Sequence, residues 1–538
     1  MRPNGRRSSV ALAEDHAAQH HRGSRTAVGG QRPDPARVHL GHEQDRAHRP
    51  AAGDPGPGNE LQSLPAHLHH RNDPQIAKPG FDPLGAFGRG AEVQVKTAPL
   101  GPVHHAPNQR RGVQVADRCD PGFAAQTFRL ASPARSAAGL GLRSPIRYHA
   151  VVLQVLLLAA ALDWNQWRGP NRDAVAAGAA APAAWPQKLN KKWEVPAGDG
   201  YASPVTGGGR VYLHWREGAR EIVTAHDPAT GRELWRQSYD APFRKSSYAT
   251  RMGSGPWATP LYSGGRLYTF GVTAILSCFD AASGKILWRH DNSGEVSTAG
   301  LFTGSSASPA LAGNRLIVVV GDDRRGSVQA LDPVTGRRQW SWNEDGAGYS
   351  SPILADGKVL LLTLGRAVAL DVETGKLAWA AVFRDQWNEN IVTPVRTPQA
   401  VLFSAVRRGT VAIGLDGKVL WENKDLPMYM SSPLVDGDHV YGFSSRNKGQ
   451  HFCLDARTGK LLWTSPGRGG ETAGLLALGP ALLSLNTDGE LLVIHRHPGA
   501  WRPIATYKVA DSAVWAQPVP LANGLLVKSV SSLVLWTW

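Results

Sequence analysis

From about residue 190 to its end the chain alternates short apolar runs with turns, the spacing of strands rather than helices. One unit recurs: an apolar strand, an Asp, a short turn ending in Gly, a second short strand and a Trp. It runs from Ala225 through Asp227 and Gly231 to Trp235, and from Cys278 through Asp280 and Gly284 to Trp288. Further copies run from Leu331 through Asp332 and Gly336 to Trp340, and from Leu370 through Asp371 and Gly375 to Trp379. Leu454 leads through Asp455 and Gly459 to Trp463, and Leu415-Asp416-Gly417-Lys418, ending at Trp421, is a shortened copy. Each part has a physical task. The carboxylate accepts backbone N–H groups in the turn, the Gly supplies a positive φ, and the Trp gives each unit a large area to bury against a neighbour.

The Trp spacings are 53, 52, 39, 42 and 42 residues from Trp235 to Trp463. A second marker, a small or polar residue followed by Pro, opens another strand: Ser203-Pro204, Thr259-Pro260, Ser308-Pro309, Ser351-Pro352, Thr393-Pro394, Ser432-Pro433 and Gln517-Pro518. The 85-residue gap between Pro433 and Pro518 holds a worn copy in residues 472–507, which makes eight openings. Closing strands give the same number: Trp193, Trp235, Trp288, Trp340, Trp379, Trp421, Trp463 and Tyr507. Trp193 closes a unit that has no opening strands before it, and residues 515–538 open a unit that has no closing strand after it. Joined, the two complete one unit. The expectation is an all-β, eight-bladed β-propeller of four-stranded antiparallel blades, closed by joining N- and C-terminal strands. A linear solenoid would need capped ends instead of complementary halves.

Composition divides the chain. All 18 Trp lie at or after Trp164, whereas residues 1–149 hold 12 of the 19 His and only 2 Lys. Of the formal charge of +15, the first 149 residues carry +8 (20 basic, 12 acidic) and the rest +7 (39 basic, 32 acidic), too mild for a nucleic-acid surface. Residues 1–141, punctuated by Pro and Gly, read as a disordered or misassigned N-terminal extension. Arg143 and Arg147 precede an apolar run, Ala150 to Leu162, that ends in small residues, so residues 142–162 read as a signal peptide. That run is too short to span a bilayer easily, so no transmembrane anchor is expected and the protein reads as periplasmic or secreted. The propeller occupies 163–538. Cys278 and Cys453 fall at equivalent places in distant blades and read as core cysteines. Asp436-Gly437-Asp438 and Gly207-Gly208-Gly209 read as hairpin turns, not metal or phosphate loops.

The Leu-Asp-x-x-Thr-Gly-x-x-x-Trp copies, together with Asp163-Trp164-Asn165-Gln166-Trp167-Arg168-Gly169-Pro170, make the chain resemble the pyrroloquinoline-quinone (PQQ) repeat family of eight-bladed propellers. The resemblance covers about 164–538. It implies the fold, and it implies one of two activities, since the family holds quinoprotein alcohol and glucose dehydrogenases as well as the lipoprotein B of the outer-membrane β-barrel assembly machinery. The adjacent Cys pair of many of those dehydrogenases is missing, and their Ca²⁺ ligands find no counterpart, so no catalytic or metal residue is assigned. The expectation is a non-catalytic propeller, a monomer, that binds a protein partner or small ligand on its channel face and no nucleic acid. The alternative is a PQQ-dependent oxidoreductase holding PQQ with Ca²⁺.

Departures from the period place the ligand. Two Trp spacings exceed 42, by 11 and 10 residues, and both surpluses fall between a closing Trp and the next opening strand. In a propeller these connections share one face, around the channel mouth. The first holds Arg244, Lys245, Tyr248, Arg251 and Trp257, and the second is small and polar. Asn388, Glu389 and Asn390 lie in an equivalent connection, with Tyr349 and Tyr429 in others. A cationic and aromatic rim of this kind suits an anionic cofactor, a glycan or a peptide.

Overall fold

The computed structural model describes residues 163–247, 249, 252–294 and 301–538. The N-terminal extension, the signal peptide, Tyr248 and Arg251 lie outside the described residues. The rest forms eight four-stranded antiparallel sheets, each built from consecutive strands except the last. Blades 1 to 7 span 205–240, 261–291, 310–342, 353–382, 395–423, 434–464 and 473–508. Blade 8 takes its inner three strands from 519–537 and its outer strand, Asn190–Pro196, from the other end of the chain. There Trp193 pairs with Leu535 in antiparallel register. The fold is the eight-bladed propeller, closed by strands from both ends.

The repeat motif turns out to be the joint between blades. Each closing Trp donates its indole N–H to a carbonyl in the turn region of the next blade. Trp193 donates to Pro228, Trp235 to Ala281, Trp288 to Pro333, Trp340 to Val372, Trp379 to Leu415, Trp421 to Ala456 and Trp463 to His497, over 2.8–3.3 Å. The Tyr507 hydroxyl does the same to Pro186, just ahead of the outer strand of blade 8, at 2.6 Å. The turn Gly of the next blade lies flat on the same indole: a Cβ on Gly459 would come within 2.4 Å of Trp421, and one on Gly375 within 2.5 Å of Trp340. These glycines also have φ near +70°, so both backbone and neighbour exclude a side chain. The Asp at the head of each turn caps it, as in Asp227, whose Oδ1 accepts from the amides of Ala229 and Thr230 and from the Thr230 hydroxyl.

A second ring of bonds runs around the channel and accounts for the strand-opening marker. The Gln517 amide donates to the Ser203 hydroxyl, that of Ser203 to Thr259, Thr259 to Ser308, and Ser308 to Ser351, all at 2.9–3.1 Å. Thr393 donates to Ser432 in the same way. In these five pairs a hydroxyl ties one opening to its neighbour, and a Pro follows each opening residue immediately before the strand. Between the two rings, alternate apolar side chains of facing blades fill the interface, as Ile317, Val319 and Val328 of blade 3 do against Val359, Leu361 and Val368 of blade 4. Cys278 and Cys453 are buried in such layers as free thiols.

Candidate functional site

Apart from one bridge to blade 7, residues 163–176 do not join a blade. They thread the channel and plug it. Trp164 exchanges bonds with Thr206 of blade 1, and Asn165 with Tyr262 of blade 2. Arg168 turns its guanidinium onto the carbonyls of Ser432 and Pro433, and Arg172 onto those of Ser308 and Pro309. Ala174 and Ala176 then pair with Ala477 of blade 7. Burial pulls the pKa of both guanidiniums down, to about 10 for Arg168 and about 9 for Arg172, which leaves each charged at neutral pH. Each cation therefore spends itself on blade carbonyls that would otherwise line the channel unpaired.

Above the plug lies a funnel of about 940 Å³, counting the part open to solvent. The Trp167 ring is part of its lining, and its indole N–H is tied to the Thr393 hydroxyl at 2.9 Å. The wall has a simple rule. The residue two places before each strand-opening Ser, Thr or Gln faces the funnel: Tyr201, Trp257, Ser306, Tyr349, Ile391, Met430 and Trp515. The opening residues Ser308, Ser351, Thr393, Ser432 and Gln517 add a polar tier. Tyr201 sits between Trp257 and Trp515, with ring centroids 4.8 and 5.8 Å away. The Trp257 indole N–H and the Ser306 hydroxyl are buried with no hydrogen-bond partner among the described residues, donors suited to a ligand oxygen.

The charges in the wall are few. Among the described residues Glu389 is the one ionisable acid or base lining the funnel apart from the two tyrosines. The Tyr429 hydroxyl is hydrogen-bonded to Glu389, and burial first, then the Glu389 and Glu471 charges, push its pKa well above the ordinary phenol value. Tyr349 is raised likewise, chiefly by burial, although its oxygen accepts the Phe302 amide at 2.7 Å; Glu389 and Asp323 add to the rise. Tyr201 is pushed up to about 12 by burial and by Asp199.

The residues expected at the mouth are thus dispersed. Trp257 and Tyr349 line the funnel and Tyr429 stands behind Glu389. Lys245 points its ammonium at the Met252 carbonyl within its own loop, and Arg244 is exposed. Asn388, at φ +61°, accepts from Arg384 Nε. Asn390 is fully buried and donates to the carbonyls of Thr363, Leu364 and Phe383; its backbone carbonyl accepts the Tyr349 amide at 3.1 Å and so holds that ring in the wall. Glu389, named with its two neighbouring Asn, does line the funnel, whereas sequence reasoning missed Trp167, Tyr201 and Trp515. For Tyr201 and Trp515 the signal was present, since both occupy the column that holds Trp257 and Tyr349.

The resemblance to quinoprotein dehydrogenases implies PQQ with Ca²⁺, and the described lining residues do not fit the pair. PQQ is a polyanion, and the described lining offers one carboxylate and no Lys or Arg. Among the described residues no three His, Cys, Asp or Glu converge as a metal site.

Comparison with known proteins runs along the same lines. Residues 219–465 match the family described as outer membrane protein assembly factor BamB. BamB of Yersinia pestis is 24% identical over 369 residues, covering 64% of this chain and 87% of that protein. The quinohemoprotein alcohol dehydrogenase ADH-IIG of Pseudomonas putida is 28% identical over 192 residues, but this chain spans 26% of its length. A europium-containing methanol dehydrogenase superposes with a TM-score of 0.54 at 12% identity, over 70% of this chain and 92% of that one, which speaks for the fold alone. The repeats are of the PQQ type, and the chain is similar to the propellers that carry them.

Proposed function

We propose that this chain is a non-catalytic periplasmic propeller that binds a protein partner at its channel face, a role of the kind named by its relatives' description as outer membrane protein assembly factors. One observation carries the reading: the described lining of the funnel is aromatic rings, a hydroxyl tier and a single carboxylate, and among the described residues no three His, Cys, Asp or Glu gather as a metal site. Such a surface binds by shape, rings and a few hydrogen bonds. The similarity to BamB along most of that protein's length supports the same side. No helix among the described residues is long and apolar enough to cross a membrane.

The test is a photoreactive amino acid placed at Ser306, in the funnel, and separately at Ser283, whose turn lies on the opposite face because strands alternate direction in each blade. Irradiation of the native host is expected to give a discrete protein adduct from position 306 and none from 283. Absence of an adduct at 306 overturns the reading. Dye reduction by the full chain with PQQ, Ca²⁺ and an alcohol or sugar would replace it with the oxidoreductase.

A further inference from the structure

We infer that the funnel receives a proline-rich segment of the partner, its pyrrolidine rings against the aromatic wall and its backbone carbonyls against the polar tier. This rests on the channel-face binding reading and names the chemistry that the face recognises.

The unspent donors come first. Gln517 is only 4% exposed and lines the funnel; its backbone amide is spent on Ser203, and its side-chain amide has no hydrogen-bond partner among the described residues. The Trp257 indole N–H and the Ser306 hydroxyl stand likewise. Ser308, Ser351, Thr393 and Ser432 are buried, and each hydroxyl accepts one N–H, from Thr259, Ser308, the Trp167 ring and Thr393 in turn. A hydroxyl carries a single proton, and none of these four gives its own to an acceptor among the described residues. Buried donors left unpaired are costly, so the first demand of this wall on a ligand is for acceptors.

Proline meets that demand and adds none of its own. It keeps a carbonyl and has no N–H, whereas an ordinary peptide brings an N–H at each residue and a sugar a proton on each hydroxyl. Those protons would compete for oxygens already in use: Glu389 is bonded by the Tyr429 hydroxyl, and each of the four tier hydroxyls holds an N–H. The rings agree. Tyr201 is packed between Trp257 and Trp515, and Phe302, Tyr349 and Trp167 add further rings to the lining. Proline-rich segments dock on aromatic walls of this kind, and their polyproline II backbone is extended before it binds. The wall is set beforehand as well, since Trp167 is tied to Thr393 and the Tyr349 oxygen to the Phe302 amide. Little ordering cost therefore falls on either side.

The experiment titrates the full chain with N-acetyl-tetraproline amide, N-acetyl-tetraalanine amide and cellobiose, following Trp fluorescence. Tetraproline is expected to saturate the change with about tenfold higher affinity than either tetraalanine or cellobiose, a margin set by their unmatched N–H and O–H groups. Trp257→Phe keeps a ring and removes the N–H, and Gln517→Met removes the side-chain amide. Each is expected to weaken tetraproline about fivefold, the loss of one neutral hydrogen bond, with the melting temperature unchanged. Should one variant fail to fold, the other decides. A margin absent against either competitor, or an unchanged tetraproline affinity in either folded variant, overturns the inference. A protein adduct at position 306 combined with no preference for tetraproline overturns this inference alone and leaves the scaffold reading standing.

Discussion

A single glycine per blade decides whether neighbouring blades meet. Gly459 and Gly357 have nearly the same backbone, φ +70° and +69°, but Gly459 lies against the Trp421 ring while nothing stands within 4 Å of a Cβ on Gly357. Gly357→Ala is expected to cost about 1–2 kcal/mol, the strain of the left-handed conformation. Gly459→Ala should cost roughly 1–3 kcal/mol more, because the indole must also move; equal losses in urea titrations would remove the packing role of the turn. The Asp that heads each turn is equally local. Arg457, first, and the turn amides hold the Asp455 carboxyl at about 2, against a smaller opposing effect of burial. Its folded pKa lies below its unfolded one, so its contribution is present above the ordinary carboxylate range and lost as pH falls toward 2. The difference in urea midpoint between Asp455→Asn and the parent should therefore be constant above about pH 5 and close as the pH falls to about 2. A gap that widens on acidification would contradict the capping role.

At the level of elements, seven blades are continuous in sequence and the eighth is not. The outer strand Asn190–Pro196 has its bonding partner in Ser532–Thr537, and Trp193 in turn seats on Gly231 of blade 1. The last strands therefore hold both the first segment and the first interblade joint. Deleting residues 515–538 should expose two blade faces and the edge of the outer strand, and abolish cooperative melting. An unchanged melting transition in circular dichroism would mean that the ring closes some other way. By contrast, Trp340 is half-buried, and Trp340→Phe keeps a ring over Gly375 while removing the bond to Val372. Trp340→Phe should cost about 1 kcal/mol, a graded loss where the deletion gives an abrupt one.

Across the whole molecule the plug links what the blades only surround. Arg168 and Arg172 reach carbonyls at the openings of blades 6 and 3, which lie far apart in sequence. Replacing Arg168 by Ala leaves the Ser432 and Pro433 carbonyls without that donor, at about 1–3 kcal/mol for each. It should also loosen Trp167, and so lower the affinity of any funnel ligand. Thermal melting and Trp fluorescence of the Arg168→Ala chain check both. Unchanged stability together with unchanged fluorescence would show that the plug is dispensable.

Periodicity carries the fold because each blade repeats one local solution: an Asp-capped turn, a Gly without a side chain and a Trp to cover it. Those constraints act within a few residues or between adjacent copies, so the count of eight and the joining of Trp193 to the C-terminal strands are legible in the chain itself. The same register places Trp257 and Tyr349 in the funnel wall, along with Tyr201 and Trp515 in the same column. What no spacing reveals is how side chains from opposite blades meet. By sequence Arg168 is one charge within a motif and Arg172 carries no signal at all, and only the closed ring makes the two a plug. Lys245 and Asn390 stand in mouth connections by sequence, yet the first caps its own loop and the second clamps backbone beneath Tyr349. What the funnel can bond likewise depends on the folded ring, because it is decided by which groups point inward and which are already paired. Composition counts them all alike.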